Sequence, residues 1–284
     1  MATVIDAIEN LVRNPVTSLG WEYRSRNRAN GMGEALEEYV KDLFAGTFGA
    51  SDVERLDAFE RTFSYLGNNS NPPDAMLRGG DAIEVKKIEA LDASLALNSS
   101  YPKHTLRADS PMISEACRDS ENWDEKDILY VVGSVFNGQL RHLAMVYGLD
   151  YCASEPCYQR LKATIRNGVN SIEGVEFAET RELGRVNRVD PLGITYLRVR
   201  GMWGIENPWS VFDYVYRRDM RKSMNFMCLV NERKWQTFSG TERLEDLAAR
   251  EPRLGLSKVR IKDPDNPARL NDAPSSSNRT DTLW

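Results

Sequence analysis

Nine residues separate Pro72-Pro73-Asp74 from Glu84-Val85-Lys86. On a β-strand alternate residues share a face, so Glu84 and Lys86 point together while Ile83 and Val85 turn to the other side. A charged pair between apolar neighbours is costly to bury unless it faces a cleft or a cation. Asp74, at a turn just before the preceding strand, can reach the same edge. Two carboxylates and a lysine so placed suit phosphodiester hydrolysis. The carboxylates of Asp74 and Glu84 offer hard oxygens to Mg²⁺, which keeps several waters for a substrate phosphate, and the Val85 carbonyl can add one more ligand. The metal polarises the phosphoryl oxygen and lowers the pKa of a bound water. Lys86 holds that water and offsets charge building on phosphorus. Burial acts to lower the lysine's pKa and the carboxylates act to raise it, so sequence leaves its value open.

Asp81 competes with Asp74 for the role of first carboxylate. Parity puts Asp81 on the face of Ile83 and Val85, away from Glu84 and Lys86, unless the Gly79-Gly80 turn distorts the register; Asp74 is therefore preferred. The bare spacing is common by chance, and the strand context is what strengthens it. The bland alternative is an exposed hairpin carrying an ordinary Glu–Lys pair. Upstream, GEALEEYVKDLF supplies Glu34, Glu37 and Glu38. Glu37 borders the apolar stripe and can turn inward as a further acid, or can be one more solvated residue of the helix. Glu34 and Glu38 fall further towards solvent.

The elements that must position these groups follow from periodicity. Val4, Ile8, Leu11 and Val12 predict a helix over 3–13 that Pro15 ends. Residues 17–32, rich in Arg and Asn, read as a loop. Leu36, Val40, Leu43 and Phe44 form one stripe of an amphipathic helix. A second helix is expected over 51–66, on Val53, Leu56, Phe59, Phe63 and Leu66. GNNSNPPD is turn chemistry, and AMLRGGDAIEVKKIEAL reads as strand, Gly-Gly turn, strand. LALNSSYP is a strand end or a loop. DILYVVGSVF and QLRHLAMVYGLDYCA predict neighbouring strands across an Asn137-Gly138 hairpin. YQRLKATIRNGVNSI predicts a helix, ITYLRVRGMW a strand, and residues 210–231 mixed structure. Residues 263–284, without apolar periodicity, are expected to be a loose tail after a single domain over 1–262. The order of elements indicates an α/β fold, a mixed central sheet flanked by helices, with the catalytic core at about 33–150 and the sheet mainly from 74–150.

Composition narrows the chemistry. With two histidines, His104 and His142, the chain is poorly equipped for histidine-based hydrolysis. Cys152 and Cys157 lack further ligands at zinc spacing. Four scattered cysteines suggest no disulfide framework, and with no leader pattern and no apolar run of about 20 residues, the expectation is a cytoplasmic protein without a membrane partner. A net charge of −5 argues against nonspecific nucleic-acid binding. Basic residues gathered along one cleft remain compatible with a specific enzyme: Arg24, Arg26 and Arg28 form one cluster; Arg217, Arg218, Arg221 and Lys222 form another. Each is otherwise a solvated face.

The stretches RSRNRANGMGEALEEYVKDLFAG, NNSNPPDAMLRGGDAIEVKKIE and LALNSSYPKHTLRADSPMI resemble type II restriction endonucleases of the NgoPII family, a likeness running over most of the first 150 residues and more loosely beyond. The resemblance implies a restriction-endonuclease-like core and Mg²⁺-dependent, sequence-specific cleavage of both strands of double-stranded DNA at the palindrome GGCC. It also implies a cognate methyltransferase acting on the same site, without direct contact. Its metal-binding acids fall on Asp74 and Glu84, and its lysine on Lys86. The segment from Leu97 to His104 matches one that follows the catalytic strand in related enzymes, making Ser99, Ser100 and Lys103 candidate contacts to the scissile phosphate. Such contacts position DNA without reading its sequence. Guanine recognition calls for arginine or lysine, so Arg24, Arg26, Arg28 and the 217–222 cluster are candidates by type. A palindrome cut in both strands favours a homodimer. Two rivals stand beside this reading: a nicking or repair nuclease of the same fold, and a DNA- or protein-binding module without catalysis. The presence of all three catalytic residue types disfavours the second.

Overall fold

The structure is a computed structural model that describes residues 1–24, 31–68, 70–173, 175–180 and 182–278. Helix α1 (Val4–Arg13) starts on a capping box: the Thr3 hydroxyl accepts from the first turn, and Asp6 accepts from the Thr3 N–H at 2.8 Å. It buries Val4, Ile8, Leu11 and Val12 and ends at Asn14, before Pro15. In place of the expected loop, Gly20–Arg24 form a π-helical turn. Helix α2 (Met32–Ala45) buries Leu36, Val40, Leu43 and Phe44 and stops at Gly46, whose φ of 67° is the left-handed cap that glycine favours.

Helix α3 (Asp52–Thr62) is shorter than its periodicity suggests, because Phe63 leaves it to begin strand β1 (Phe63–Tyr65), paired with Leu77. Only the end of the stripe is covered: Phe59 and Phe63 are buried, whereas Val53 is 76% exposed. The hairpin of β2 (Ala75–Leu77) and β3 (Ala82–Ile88) forms around the glycine pair, with Ala75 opposite Ile83 and Met76 opposite Ala82. Then come β4 (Leu95–Asn98), β5 (Thr105–Arg107) and the short α4 (Glu115–Arg118). Strands β6 (Glu125–Phe136) and β7 (Gln139–Tyr147) join through Asn137 and Gly138, at φ of 50° and 75°, the turn that suits two right-twisted strands.

A single turn, α5 (Gly148–Tyr151), precedes the long α6 (Glu155–Asn170). Next are β8 (Glu176–Phe177), β9 (Gly184–Asn187), β10 (Leu197–Val199) and β11 (Trp203–Ile205). The single strand expected across 194–203 is thus two, divided between sheets: β10 pairs with β9, and β11 with β4. The chain finishes with α7 (Pro208–Val211), β12 (Asn225–Leu229), α8 (Glu232–Trp235), α9 (Thr241–Arg250), β13 (Leu254–Lys262) and β14 (Leu270–Asn278).

Among the described residues the main sheet runs β1-β2-β3-β6-β7-β12-β14-β13, with β5 also on β6. β3 lies parallel to β6 and β12 parallel to β7; the other pairs are antiparallel, so the sheet is mixed and the fold is α/β. The sheet extends well past 74–150. Residues 270–278, expected in a loose tail, form its penultimate strand, held between β12 and β13 with Ala273, Ser275, Ser276 and Asn278 buried. Backbone pairing on both sides stabilises this strand without an apolar pattern. Residues 279–284 lie outside the described residues.

Two cores sandwich the sheet. One packs α1, α2 and α9 against Ile83, Val85, Leu129 and Val131; the other sets Trp209 and Phe212 beside Ala82, Ile88, Tyr130 and Val132. Three of the four cysteines are buried, and all four are free thiols. No helix among the described residues is long and apolar enough to cross a membrane.

Candidate active site

Strand β3 carries Glu84 and Lys86 on the Trp209 side of the sheet and sends Ile83 and Val85 into the helical core opposite. Asp74 immediately precedes β2. Its Oδ2 accepts the Val85 N–H at 2.6 Å, which fixes the carboxylate at the edge of β3. Within a strand the N–H and C=O of one residue leave by the same edge, so the Val85 carbonyl also lies on the Asp74 side. The backbone behind Asp74 is held closely: a Cβ on Gly67, which has φ of 83°, would come within 2.3 Å of the Asp74 carbonyl oxygen. Only glycine fits there.

Asp74, Glu84 and Lys86 share the wall of a cleft of about 230 Å³ with Asn71, Ser99, Ser100, Tyr101, Lys103 and Tyr130. Lys86 Nζ stands 2.6 Å from Glu84 Oε1, and Glu84 Oε2 is buried with no hydrogen-bond partner among the described residues. Burial pushes the Glu84 carboxyl upward and the neighbouring Asp74 adds to this, against the pull of Lys86. Burial also raises Asp74, opposed by Lys86 and the Val85 N–H. For Lys86 burial acts downward, but Glu84 and Asp74 outweigh it and hold the ammonium above its ordinary value. Two carboxylates strained by proximity and one lysine form a set with a net demand for positive charge.

Glu37 is not on the cleft wall, yet it belongs to the same electrostatic group. Burial and then Asp74 lift its carboxyl to about 7, with Lys41 and Lys86 opposing. Glu38, expected towards solvent, instead pairs with Arg55 at 2.6 Å and Lys41 at 3.0 Å, and Arg55 also reaches Asp42 at 2.7 Å. This network ties α2 to α3 and so sets the orientation of the helix that bears Glu37. Asp81 is committed elsewhere. On the opposite face it pairs with Lys234 at 2.6 Å and accepts from the Tyr147 hydroxyl at 2.7 Å.

Among the described residues no three His, Cys, Asp or Glu side chains are close enough to hold a metal ion unaided. A divalent cation at Asp74 and Glu84 would need its other ligands from backbone, water and substrate, a requirement that suits Mg²⁺ better than zinc. The unpartnered Glu84 Oε2 fits that use.

The segment after β4 supplies the far wall. Ser99 is exposed, Ser100 half-buried and Lys103 buried, and all three line the cleft. The Lys103 backbone N–H donates to the Tyr130 hydroxyl at 2.7 Å, and the Lys103 carbonyl lies so near Gly148 that a Cβ there would meet it at 2.3 Å. Lys103 Nζ sits 3.8 Å from the Tyr101 ring centroid. Tyr130 and Tyr101 escaped the sequence reading; the parallel pairing of Glu84 with Tyr130 brings the first to the cleft, and no local pattern reveals that register. The side chain of Arg24, and all of Arg26 and Arg28, lie outside the described residues. In the second basic cluster, Arg218 binds the Leu91 carbonyl and Asp92, Arg221 pairs with Asp219, and none of the cluster lines this cleft. His142 is buried under Trp209 and lowered to about 4 by burial and then by Arg218, far from any basic role here.

The family model of the NgoPII restriction endonucleases matches residues 2–262. This chain belongs to that family. It is 59% identical over 271 residues to the type II restriction enzyme NgoPII of Neisseria gonorrhoeae, covering 95% of this chain and 97% of the relative. No solved structure matches it.

Proposed function

We propose that the chain is a Mg²⁺-dependent type II restriction endonuclease that cuts both strands of DNA within GGCC. The observation that carries the chemistry is the meeting of Asp74, Glu84 and Lys86 in one cleft, with a buried Glu84 oxygen left unpartnered. The specificity rests on the family resemblance. Asp74, Glu84 and the Val85 carbonyl would hold the metal. Bound there, Mg²⁺ supplies Lewis acidity to the scissile phosphate and to an attacking water. Lys86 orients that water and offsets the charge gathering on the phosphoryl oxygens. Glu37, raised to about 7, is able to take up a proton near neutral pH from the cleft's edge. Ser99, Ser100 and Lys103 donate to phosphate oxygens and fix the strand's position. Arg24, Arg26 and Arg28 are proposed DNA contacts by residue type alone. A palindromic site implies a homodimer, one cleft per strand, acting in the cytoplasm opposite a methyltransferase of the same specificity.

The test is digestion of a plasmid of known sequence with and without Mg²⁺, followed by mapping of the fragment ends. Double-strand ends confined to GGCC, lost in Asp74→Ala and Lys86→Ala with duplex binding kept, are expected. Nicks alone point to a nicking enzyme. A wild-type rate in either variant removes the assignment of that residue.

A further inference from the structure

Lys103 stands where two clefts meet. It lines the catalytic cleft and also a neighbouring one of about 510 Å³, whose wall carries Asp109, Glu125 and Glu155. It is 9% exposed, and among the described residues it forms no ion pair, although both clefts contain carboxylates. Its backbone N–H is fixed to the Tyr130 hydroxyl at 2.7 Å, so the freedom left is in the side chain. The group that meets the ammonium is an aromatic face: Lys103 Nζ lies 3.8 Å from the Tyr101 ring centroid.

The Tyr101 ring has supports of its own. Tyr158 of α6 stacks on it with centroids 5.4 Å apart and planes 15° from parallel, and Trp203 meets it edge-on at 5.9 Å. Tyr158 and Trp203 also meet edge to face at 5.7 Å, which closes a cluster of three rings. Trp203 arrives on β11 opposite Asn98 of β4, next to the Ser99-Ser100 wall of the cleft. The Tyr101 hydroxyl donates to Glu155 at 2.5 Å. That bond enriches the ring in negative charge and engages an acid otherwise open to Lys103. A cation on an aromatic face is attracted by the ring quadrupole and keeps its whole charge, whereas a carboxylate partner would cancel it. In a cleft that already holds Asp74 and Glu84, a polyanion gains little from a lysine that is half of an ion pair.

We propose that Tyr101, braced by Tyr158 and Trp203, is a positioning residue that holds the Lys103 ammonium in the catalytic cleft, unpaired and available to a DNA phosphate. The inference rests on the proposed nuclease function and adds the three rings to it. Tyr101 acts through Lys103 and not on the reacting atoms, so its contribution is to grip and is independent of base sequence.

The experiment is a double-mutant cycle. Wild type, Tyr101→Leu, Lys103→Met and the double variant are titrated with short duplexes with and without GGCC, with Ca²⁺ in place of Mg²⁺. A desolvated cation–π contact corresponds to roughly tenfold in affinity. Tyr101→Leu is expected to weaken binding of both duplexes by about tenfold when Lys103 is present, and by no more than about twofold, the scatter between independent sites, in Lys103→Met. Tyr101→Phe, which keeps the ring, is expected to recover most of the loss. Equal losses for Tyr101→Leu in both backgrounds, or a Tyr101→Phe as weak as Tyr101→Leu, overturn the inference. If Tyr101→Leu does not fold, Trp203→Leu, which removes a brace and leaves the ring, is judged by the same dependence on Lys103. A reading free of DNA comes from isotope-labelled lysine: ring current should shift the Lys103 ε-methylene protons upfield in wild type and Tyr101→Phe, and the shift should vanish in Tyr101→Leu. An ordinary lysine resonance in wild type also overturns the inference. If the wild-type protein neither binds nor cuts duplex DNA, the nuclease reading itself has failed, while the shift still reports whether Tyr101 holds Lys103.

Discussion

Replacing Glu84 by Gln should make the metal-free protein more stable at pH 8 while abolishing its activity. Glu84 is 8% exposed, and its carboxyl is pushed from 4.5 to about 7 by burial and by Asp74. Between these values the folded chain holds the proton more tightly than the unfolded chain, so stability falls as pH rises through the window. Above it the penalty is complete. At about 1.4 kcal/mol per pH step the interval corresponds to about 3 kcal/mol. Part of this is shared with Asp74, which leaves about 1–3 kcal/mol for the single substitution. Glutamine does not titrate, and its amide oxygen still accepts from Lys86. At roughly 2 °C per kcal/mol for a chain of this length, Tm should rise by about 2–6 °C at pH 8 in EDTA, and the gain should shrink towards zero below pH 5. Mg²⁺ at a thousand times its Kd should reverse the ranking: it stabilises wild type by about 4.1 kcal/mol and leaves the variant nearly unmoved. Differential scanning calorimetry at both pH values, with and without Mg²⁺, reads all four conditions. A variant no more stable than wild type at pH 8, or a gain independent of pH, would refute the claim that the cleft stores unfavourable negative charge.

Other outcomes follow from the same geometry. Gly67→Ala places a methyl against the Asp74 carbonyl at a left-handed φ, so it should cost about 1–3 kcal/mol in urea unfolding and depress cleavage more than duplex binding. Arg55→Met strips two partners from the α2 acids and leaves Asp42 buried; a loss of about 3 kcal/mol in denaturant midpoint analysis is expected, with an unchanged value contradicting the network's role. Single-turnover cleavage at fixed Mg²⁺ should rise with pH through about 7 as Glu37 loses its proton, and Glu37→Gln should remove that limb of the profile.

Sequence was most informative where one physical signal dominated. The stripes of α1 and α2 each face a single core, and the β2–β3 hairpin combines turn glycines with strand parity, so Glu84, Lys86 and the separation of Asp81 from Asp74 could be read directly. Strand β14 was illegible for the opposite reason. Its serines are buried and its stability comes from backbone pairing with β12 and β13, which leaves no trace in hydropathy. The truncation of α3 at Thr62 reflects the pairing of Phe63 with Leu77, a contact invisible to helical periodicity. Tyr130 reaches the cleft through parallel pairing with Glu84, and Tyr101 and Tyr158 meet across 57 residues of chain, so neither relation has a local signature.

The hairpin register has a consequence for the safety of the host. Ala75 faces Ile83 and Met76 faces Ala82; a slip of β3 by one residue would present Ile83 and Val85 to the cleft and bury Glu84 and Lys86 beneath α2. With the proposed roles of Glu84 and Lys86, chemistry and correct folding depend on the same alignment. A misassembled copy would then be inert, and a cell carrying a protein able to sever its chromosome would be exposed to that hazard only from fully folded molecules.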